Sequence, residues 1–207
     1  MGTPPHEIQA LIFDLFGVLV SFDDRLVYDR ISQHCECPST AFQQMYNMVS
    51  EPELITGQTS LHQLHARLVD DLQLTASFAE FERIWQKSYS EPMPGVKDVL
   101  HQLTGKCRLV LLSNVDQYYW PTIESSLPEL DSFDAKVLSF QEGVAKPSAV
   151  AFKRAVAASG VPVQNCYFVD DKSENIEAAA EIGLTGHVFT SCRELKATLR
   201  QAGLQVA

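Results

Sequence analysis

Three apolar runs in this chain carry polar residues at the same end. ALIFDLF (10–16) holds Asp14, RLVLLSN (108–114) ends in Ser113 and Asn114, and CYFVDD (166–171) ends in Asp170 and Asp171. Two further runs, KVLSF (136–140) and GHVFT (186–190), share the apolar character. Successive strand residues point to opposite faces, so a run apolar at nearly every position predicts a strand covered on both sides. Helical patterns lie between these runs. In PSAVAFKRAVAASG, Phe152 and Val156 are four apart, Pro147 suits a first helical turn and Gly160 a stop. In SENIEAAAEIG, Ser173 suits an N-cap and Gly183 the stop, and SCRELKATLRQAG is a third helix. Strand and helix alternate from residue 94 to the end, which predicts an α/β, Rossmann-like, doubly wound parallel sheet.

Residues 22–91 break that alternation. DRLVYDRISQHC, TAFQQMYNMVSEPELI, SLHQLHARLVDDL and SFAEFERIWQKSYS all read as helices, and no strand stands out among them. The segment begins after the first strand and ends at EPMPGV, where two prolines and a glycine mark a boundary. The expected division is a core of residues 1–21 and 92–207 with a helical insert at 22–91. A chain of 207 residues can bury one sizeable core and carry such an insert.

The net charge of −10, with no basic stripe, argues against a nucleic-acid partner. No stretch approaches the roughly 18 uninterrupted apolar residues of a membrane span, and MGTPPHEIQA lacks a signal peptide's order. Five scattered cysteines, with Cys107 and Cys166 beside apolar runs, read as reduced packing residues and imply a cytoplasmic setting.

In a doubly wound sheet, ligands bind at the carboxyl ends of the strands. Asp14, Ser113, Asn114, Asp170 and Asp171 sit at those ends, and Lys146 lies in the loop EGVAKPS before a helix. Three carboxylates at one edge repel one another unless a cation lies between them. With no His or Cys at the tips, the oxygen-only set favours a hard ion, most simply Mg²⁺. Lys146 and the Ser113 hydroxyl suit an anionic group, so the combination describes a site for phosphate chemistry.

FDLFGVLV, LLSN, VAKPSAVAF and FVDDKSENIEAA resemble, in order and spacing, the four motifs of the haloacid dehalogenase-like hydrolase superfamily. SNVDQYYWP, SFQEGVAKP and FVDDKSENIEAA look most like its branch of α-D-glucose-1-phosphate phosphatases and the N-terminal phosphatase domain of soluble epoxide hydrolase. The resemblance implies that the helical insert is a cap. Asp14 is then the nucleophile that forms an aspartyl-phosphate, while Ser113 and the Asn114 amide hold phosphoryl oxygens and Lys146 neutralises charge. Asp14, Asp170, Asp171 and the backbone carbonyl of Phe16 are the implied Mg²⁺ ligands, Asn175 orients the last loop, and Gly17 permits the tight backbone after Asp14. The implied substrate is a small phosphorylated molecule, sugar-like in that branch.

Phe16 departs from the pattern. Most phosphatases of this family carry there an aspartate that protonates the leaving alcohol and then activates water. Losing such a group costs roughly 10²–10⁴ in rate. One reading is a phosphatase whose leaving group needs little protonation, as in anomeric or acyl phosphates, with Asp116 or an insert residue activating water. A second is a metal-independent 2-haloacid dehalogenase, since those enzymes carry an aromatic residue here and Ser-Asn in the second motif; the Asp170–Asp171 pair weighs against it. A third is a weakly catalytic or non-catalytic phosphate-binding or regulatory protein. Elsewhere, His62 and His65 lack a third metal ligand and read as surface or packing residues. Tyr118, Tyr119 and Trp120 read as core contacts; Tyr46, Trp85 and Tyr89 each read singly as core packing, with lining of a substrate pocket as the alternative.

Overall fold

The computed structural model describes residues 7–49, 52–87 and 90–207. In chain order the strands and helices are β1 (Ala10–Phe13), β2 (Val20–Phe22), α1 (Asp24–Ser32), α2 (Pro38–Val49), α3 (Leu61–Leu72), α4 (Phe78–Trp85), β3 (Ser90–Pro92), α5 (Val96–Leu103), β4 (Arg108–Ser113), α6 (Trp120–Ser126), β5 (Ala135–Leu138), α7 (Ser139–Glu142), α8 (Ala149–Ser159), β6 (Cys166–Asp170), α9 (Ser173–Ala180), β7 (Thr185–Val188) and α10 (Cys192–Gln201).

The five apolar runs form one sheet in the order β5-β4-β1-β6-β7, and every pairing is parallel. Alternation along each strand supplies two buried faces. Leu11, Phe13, Leu109, Leu111, Tyr167 and Val169 join one apolar cluster with Val99 and Leu103 of α5 and Leu195 and Leu199 of α10. Ala10, Ile12, Val110, Leu112, Cys166 and Phe168 join the other, with Phe152 and Ala155 of α8 and Ile176 and Ala179 of α9. Burying each large apolar side chain contributes roughly 1.5–3 kcal/mol, so the central strands are held from both sides.

Pairing stops short of the apolar runs. β1 ends at Phe13, β5 at Leu138 and β7 at Val188, and Ser139 already begins the short helix α7. Two helix starts also shift. α8 begins at Ala149, so Pro147 lies before the first turn rather than in it, and Ser148 is the cap, its hydroxyl accepting from the Val150 N–H. Lys172 holds the cap position of α9, and Ser173 is the first helical residue. Gly160 ends α8 in the left-handed conformation, as expected.

Among the described residues, four helices lie between β2 and β3 with an apolar cluster of their own, including Ile31, Met45, Leu64, Leu68 and Phe81. In α3, Leu61, Leu64, Leu68 and Leu72 recur at helical spacing and are all buried. Capping boxes start two of these helices, Ser60 with Gln63 and Ser77 with Glu80. His62 stacks on Phe78 at 3.5 Å between ring centroids, and His65 Nε2 meets the Ala76 carbonyl at 2.9 Å, so both pack. The segment also contains strand, which its helical pattern does not predict. β2 and β3 pair antiparallel as Val20↔Pro92, Ser21↔Glu91 and Phe22↔Ser90, drawing the two ends of the insert together. No helix among the described residues is long and apolar enough to cross a membrane.

Candidate active site

β1 is the middle strand, with β4 on one side and β6 on the other, so the space beyond its carboxyl end is the switch point of the sheet. Register aligns Phe13 with Val169, which sends Asp14 and Asp170 out at one level. The Asp14 N–H donates to the Val169 carbonyl at 2.9 Å. The Asp14 side chain is buried, and its Oδ1 accepts from the Leu15 N–H at 2.7 Å and meets Lys146 Nζ at 2.6 Å. The same ammonium donates to Asp170 Oδ2 at 2.7 Å. Asp170 is fully buried and also accepts from Asn175 Nδ2, at 2.9 and 3.0 Å to its two oxygens, and from the Lys172 N–H at 2.9 Å.

That difference in donors decides where charge resides. Burial pushes the Asp14 carboxyl up to about 7, the opposing pull of Lys146 notwithstanding, and Asp170 adds to the rise. Burial acts upward on Asp170 as well, but Lys146, Asn175 and the Lys172 amide outweigh it and hold that carboxyl below its ordinary value. Burial alone would lower Lys146; the two aspartates raise it instead. The exposed Asp171 is pushed up by partial desolvation and then by Asp170.

Each of Asp14, Asp170 and Asp171 offers a carboxylate oxygen, and these oxygens lie within 4.8 Å of one another. Opposite ligands of an octahedral Mg²⁺ stand about 4.2 Å apart, at about 2.1 Å from the ion, so the cluster needs little closure. Three carboxylates against one buried lysine leave negative charge that a divalent cation offsets, and the donors are all oxygen. The residues present therefore fit a hard metal ion. Gly17 makes the close approach possible: its φ is +79°, and a Cβ there would lie 2.4 Å from Asp171 Oδ2.

Ser113 is fully buried, and its Oγ has no hydrogen-bond partner among the described residues. A buried hydroxyl without a partner is costly, and a phosphoryl oxygen would satisfy it. Asn114 is committed elsewhere. Its Oδ1 accepts from the Lys146 N–H at 2.8 Å and its Nδ2 donates to the Lys146 carbonyl at 2.9 Å. Its side-chain amide therefore fixes the lysine backbone.

Phe16 is half-buried in an aromatic group, with ring centroids 4.8 Å from Phe22 and 6.3 Å from Tyr119. It lines a cavity of 540 Å³ together with Lys146, Asp116 and, from the insert, Tyr28, Tyr46 and Trp85. Tyr89 lies outside the described residues. Tyr119 and Trp120 are buried in the core, as expected, while Tyr118 packs against the insert's cluster. Two connections between insert and core have no local signal in sequence. Trp85 Nε1 donates to Asp116 Oδ2 at 3.3 Å. Ser139 Oγ lies 2.5 Å from the Ile55 carbonyl and 3.1 Å from that of Val115, and accepts from the Val115 N–H at 3.0 Å.

A parallel sheet whose middle strand ends in a buried aspartate, paired with a lysine and flanked by two more acids, defines the class. A family model described as haloacid dehalogenase-like hydrolase matches residues 8–183, and the chain belongs to that family. A D-ribitol-5-phosphate phosphatase from Bacteroides thetaiotaomicron is 27% identical over 183 residues, 85% of this chain and 89% of the relative. The crystal structure of a HAD family enzyme from the same organism superposes with a TM-score of 0.78 at 20% identity, covering 94% of this chain and 99% of that one. A HAD family enzyme structure from that organism in complex with magnesium and inorganic phosphate gives 0.70 at 19% identity, over 89% and 96% of the two chains. At these identities the structural likeness speaks for the fold.

Proposed function

We propose that the chain is a Mg²⁺-dependent phosphomonoester hydrolase acting on a small, sugar-like phosphate, with Asp14 as nucleophile. The observation that carries this reading is the setting of Asp14: a buried carboxylate held at 2.6 Å by Lys146, level with Asp170 and beside an unpartnered Ser113 hydroxyl. The named activity of the Bacteroides relative supports the substrate class.

Asp14 attacks phosphorus, an O–P bond forms to its carboxylate, and the ester O–P bond breaks with its electron pair on the leaving oxygen. Water then attacks the same phosphorus, and the O–P bond to Asp14 breaks with its electron pair returning to the carboxylate. The proton that water loses balances the one the leaving oxygen takes up from solvent, so alcohol and phosphate are released. Ser113 and the Asn114 N–H hold the phosphoryl oxygens, and Lys146 stabilises negative charge on nucleophile and phosphoryl group. Asp14, Asp170 and Asp171 would hold Mg²⁺, which when bound offsets charge at the transferring group. The helical insert acts as a cap that covers the cavity and excludes water. Phe16 cannot donate a proton, so turnover should favour anomeric and acyl phosphates over simple alkyl phosphates.

Phosphate release measured with Mg²⁺ and with chelator tests the reading, alongside halide release from a short 2-haloacid. Expected are metal-dependent phosphate release and its abolition in Asp14→Asn. Wild-type turnover by that variant removes Asp14 from the role, and chelator-insensitive halide release replaces the phosphatase with a dehalogenase.

A further inference from the structure

The cavity is electrostatically lopsided. Among the described residues that line it, the cations are Lys146, on the core loop before α8, and Lys172, next to Asp171 of the acid cluster. Among its described residues the insert contributes no cation to the lining; these supply Asp24, aromatic rings and apolar side chains. Asp116, on the core loop after β4, sits where that loop meets the insert. Its Oδ1 accepts from the Tyr118 and Tyr119 N–H groups at 2.8 and 2.9 Å, and its Oδ2 accepts from Trp85 Nε1 at 3.3 Å. A carboxylate has about four lone-pair positions, so one on Oδ2 remains for a further donor. The buried Tyr28 hydroxyl feels both acids: burial first, then Asp24, Tyr46 and Asp116, hold it protonated well above its ordinary range.

We propose that Asp24 and Asp116 select the leaving group by charge, admitting an uncharged polyhydroxyl group and rejecting one that carries a carboxylate or second phosphate. This rests on the phosphomonoester reading above. Sugar hydroxyls donate to the free Asp116 position and to Asp24, while the rings of Tyr28 and Trp85 cover apolar C–H faces. An anionic tail would meet two acids on the side of the cavity that the insert covers, while the cations among the described lining residues, Lys146 and Lys172, stand on the core side. Like charges brought together across a partly buried interface weaken binding by roughly 10- to 100-fold.

Two esters isolate charge from shape and leaving-group acidity: α-D-glucose 1-phosphate and α-D-glucuronic acid 1-phosphate. Phosphate release by the wild-type protein with Mg²⁺ reports on the hydrolase reading. Calorimetric titration of each ester into Mg²⁺-loaded Asp14→Asn reports on charge selection without turnover. The neutral ester is expected to bind at least about tenfold tighter, and Asp24→Asn or Asp116→Asn in that background should shrink the ratio several-fold. The amide at position 116 keeps an acceptor for the turn N–H groups, so folding, followed by circular dichroism, should persist. Equal affinities, tighter binding of the uronate, no binding of either ester, or a ratio unmoved by both variants overturns the proposal. Selective binding with no phosphate release from any ester would instead sink the hydrolase reading and leave charge selection standing.

Discussion

Asn114 grips the backbone of Lys146 through both halves of its side-chain amide, and that lysine in turn bridges Asp14 and Asp170. Asn114→Ala removes two hydrogen bonds, each contributing about 0.5–1.5 kcal/mol, and lets the ammonium drift. A displacement of about 1 Å at a reacting centre can lower the rate about 10²-fold, so phosphate release should fall steeply while fold content, followed by circular dichroism, stays intact. Gly17 makes a different demand. Any side chain there combines a left-handed backbone with a collision against Asp171. Gly17→Ala is expected to lower stability by about 1–3 kcal/mol and to weaken Mg²⁺ binding in a calorimetric titration. An unchanged Mg²⁺ affinity would separate Asp171 from the metal. The sequence displayed Asp14, Ser113, Asp170 and Asp171 because each stands at the break between an apolar run and a loop, whereas Lys146 stood out through its loop before a helix and its place among the family's motifs. The hold of Asn114 on Lys146 joins positions 32 apart across two loops, and no local pattern signals such a pair.

The strands of the core were legible because burial on both faces leaves an unbroken apolar run, and the helices because leucines recur at helical spacing. β2 and β3 were not. Each has three residues, among them Ser21, Glu91 and Pro92, and their pairing joins positions about 70 apart. Short polar strands become strands through their partner rather than through their own periodicity. Cap chemistry is more local. Ser77 accepts from the Glu80 N–H while Glu80 accepts from the Ser77 N–H, so Ser77→Ala should destabilise by about 1 kcal/mol. Thermal melting would register this as a fall of about 2–4 °C in Tm. Trp85→Phe keeps the ring but removes the donor to Asp116. It should speed amide exchange in α4 and in the Asp116–Tyr119 turn, and leave exchange in β1 and β6 unchanged.

At the scale of the molecule, three acids gathered around one lysine leave the metal-free protein with unbalanced charge. The folded-state value of Asp14 lies near 7, above its ordinary 3.8. The stability tied to its protonated form is therefore complete below about pH 4 and lost as pH rises through about 7. Mg²⁺ competes with that proton, so the rise in Tm on adding Mg²⁺ should be larger at pH 8 than at pH 6. A shift of equal size at both values would detach Asp14 from the metal site. The antiparallel ribbon of Val20–Phe22 with Ser90–Pro92 has a consequence of another kind. Because the chain leaves and re-enters the sheet's neighbourhood at adjacent points, the stretch between them behaves topologically as a graft. Its length and composition can diverge, or be exchanged for a relative's, without re-threading a single parallel strand, so recognition can evolve while the reacting centre stays put.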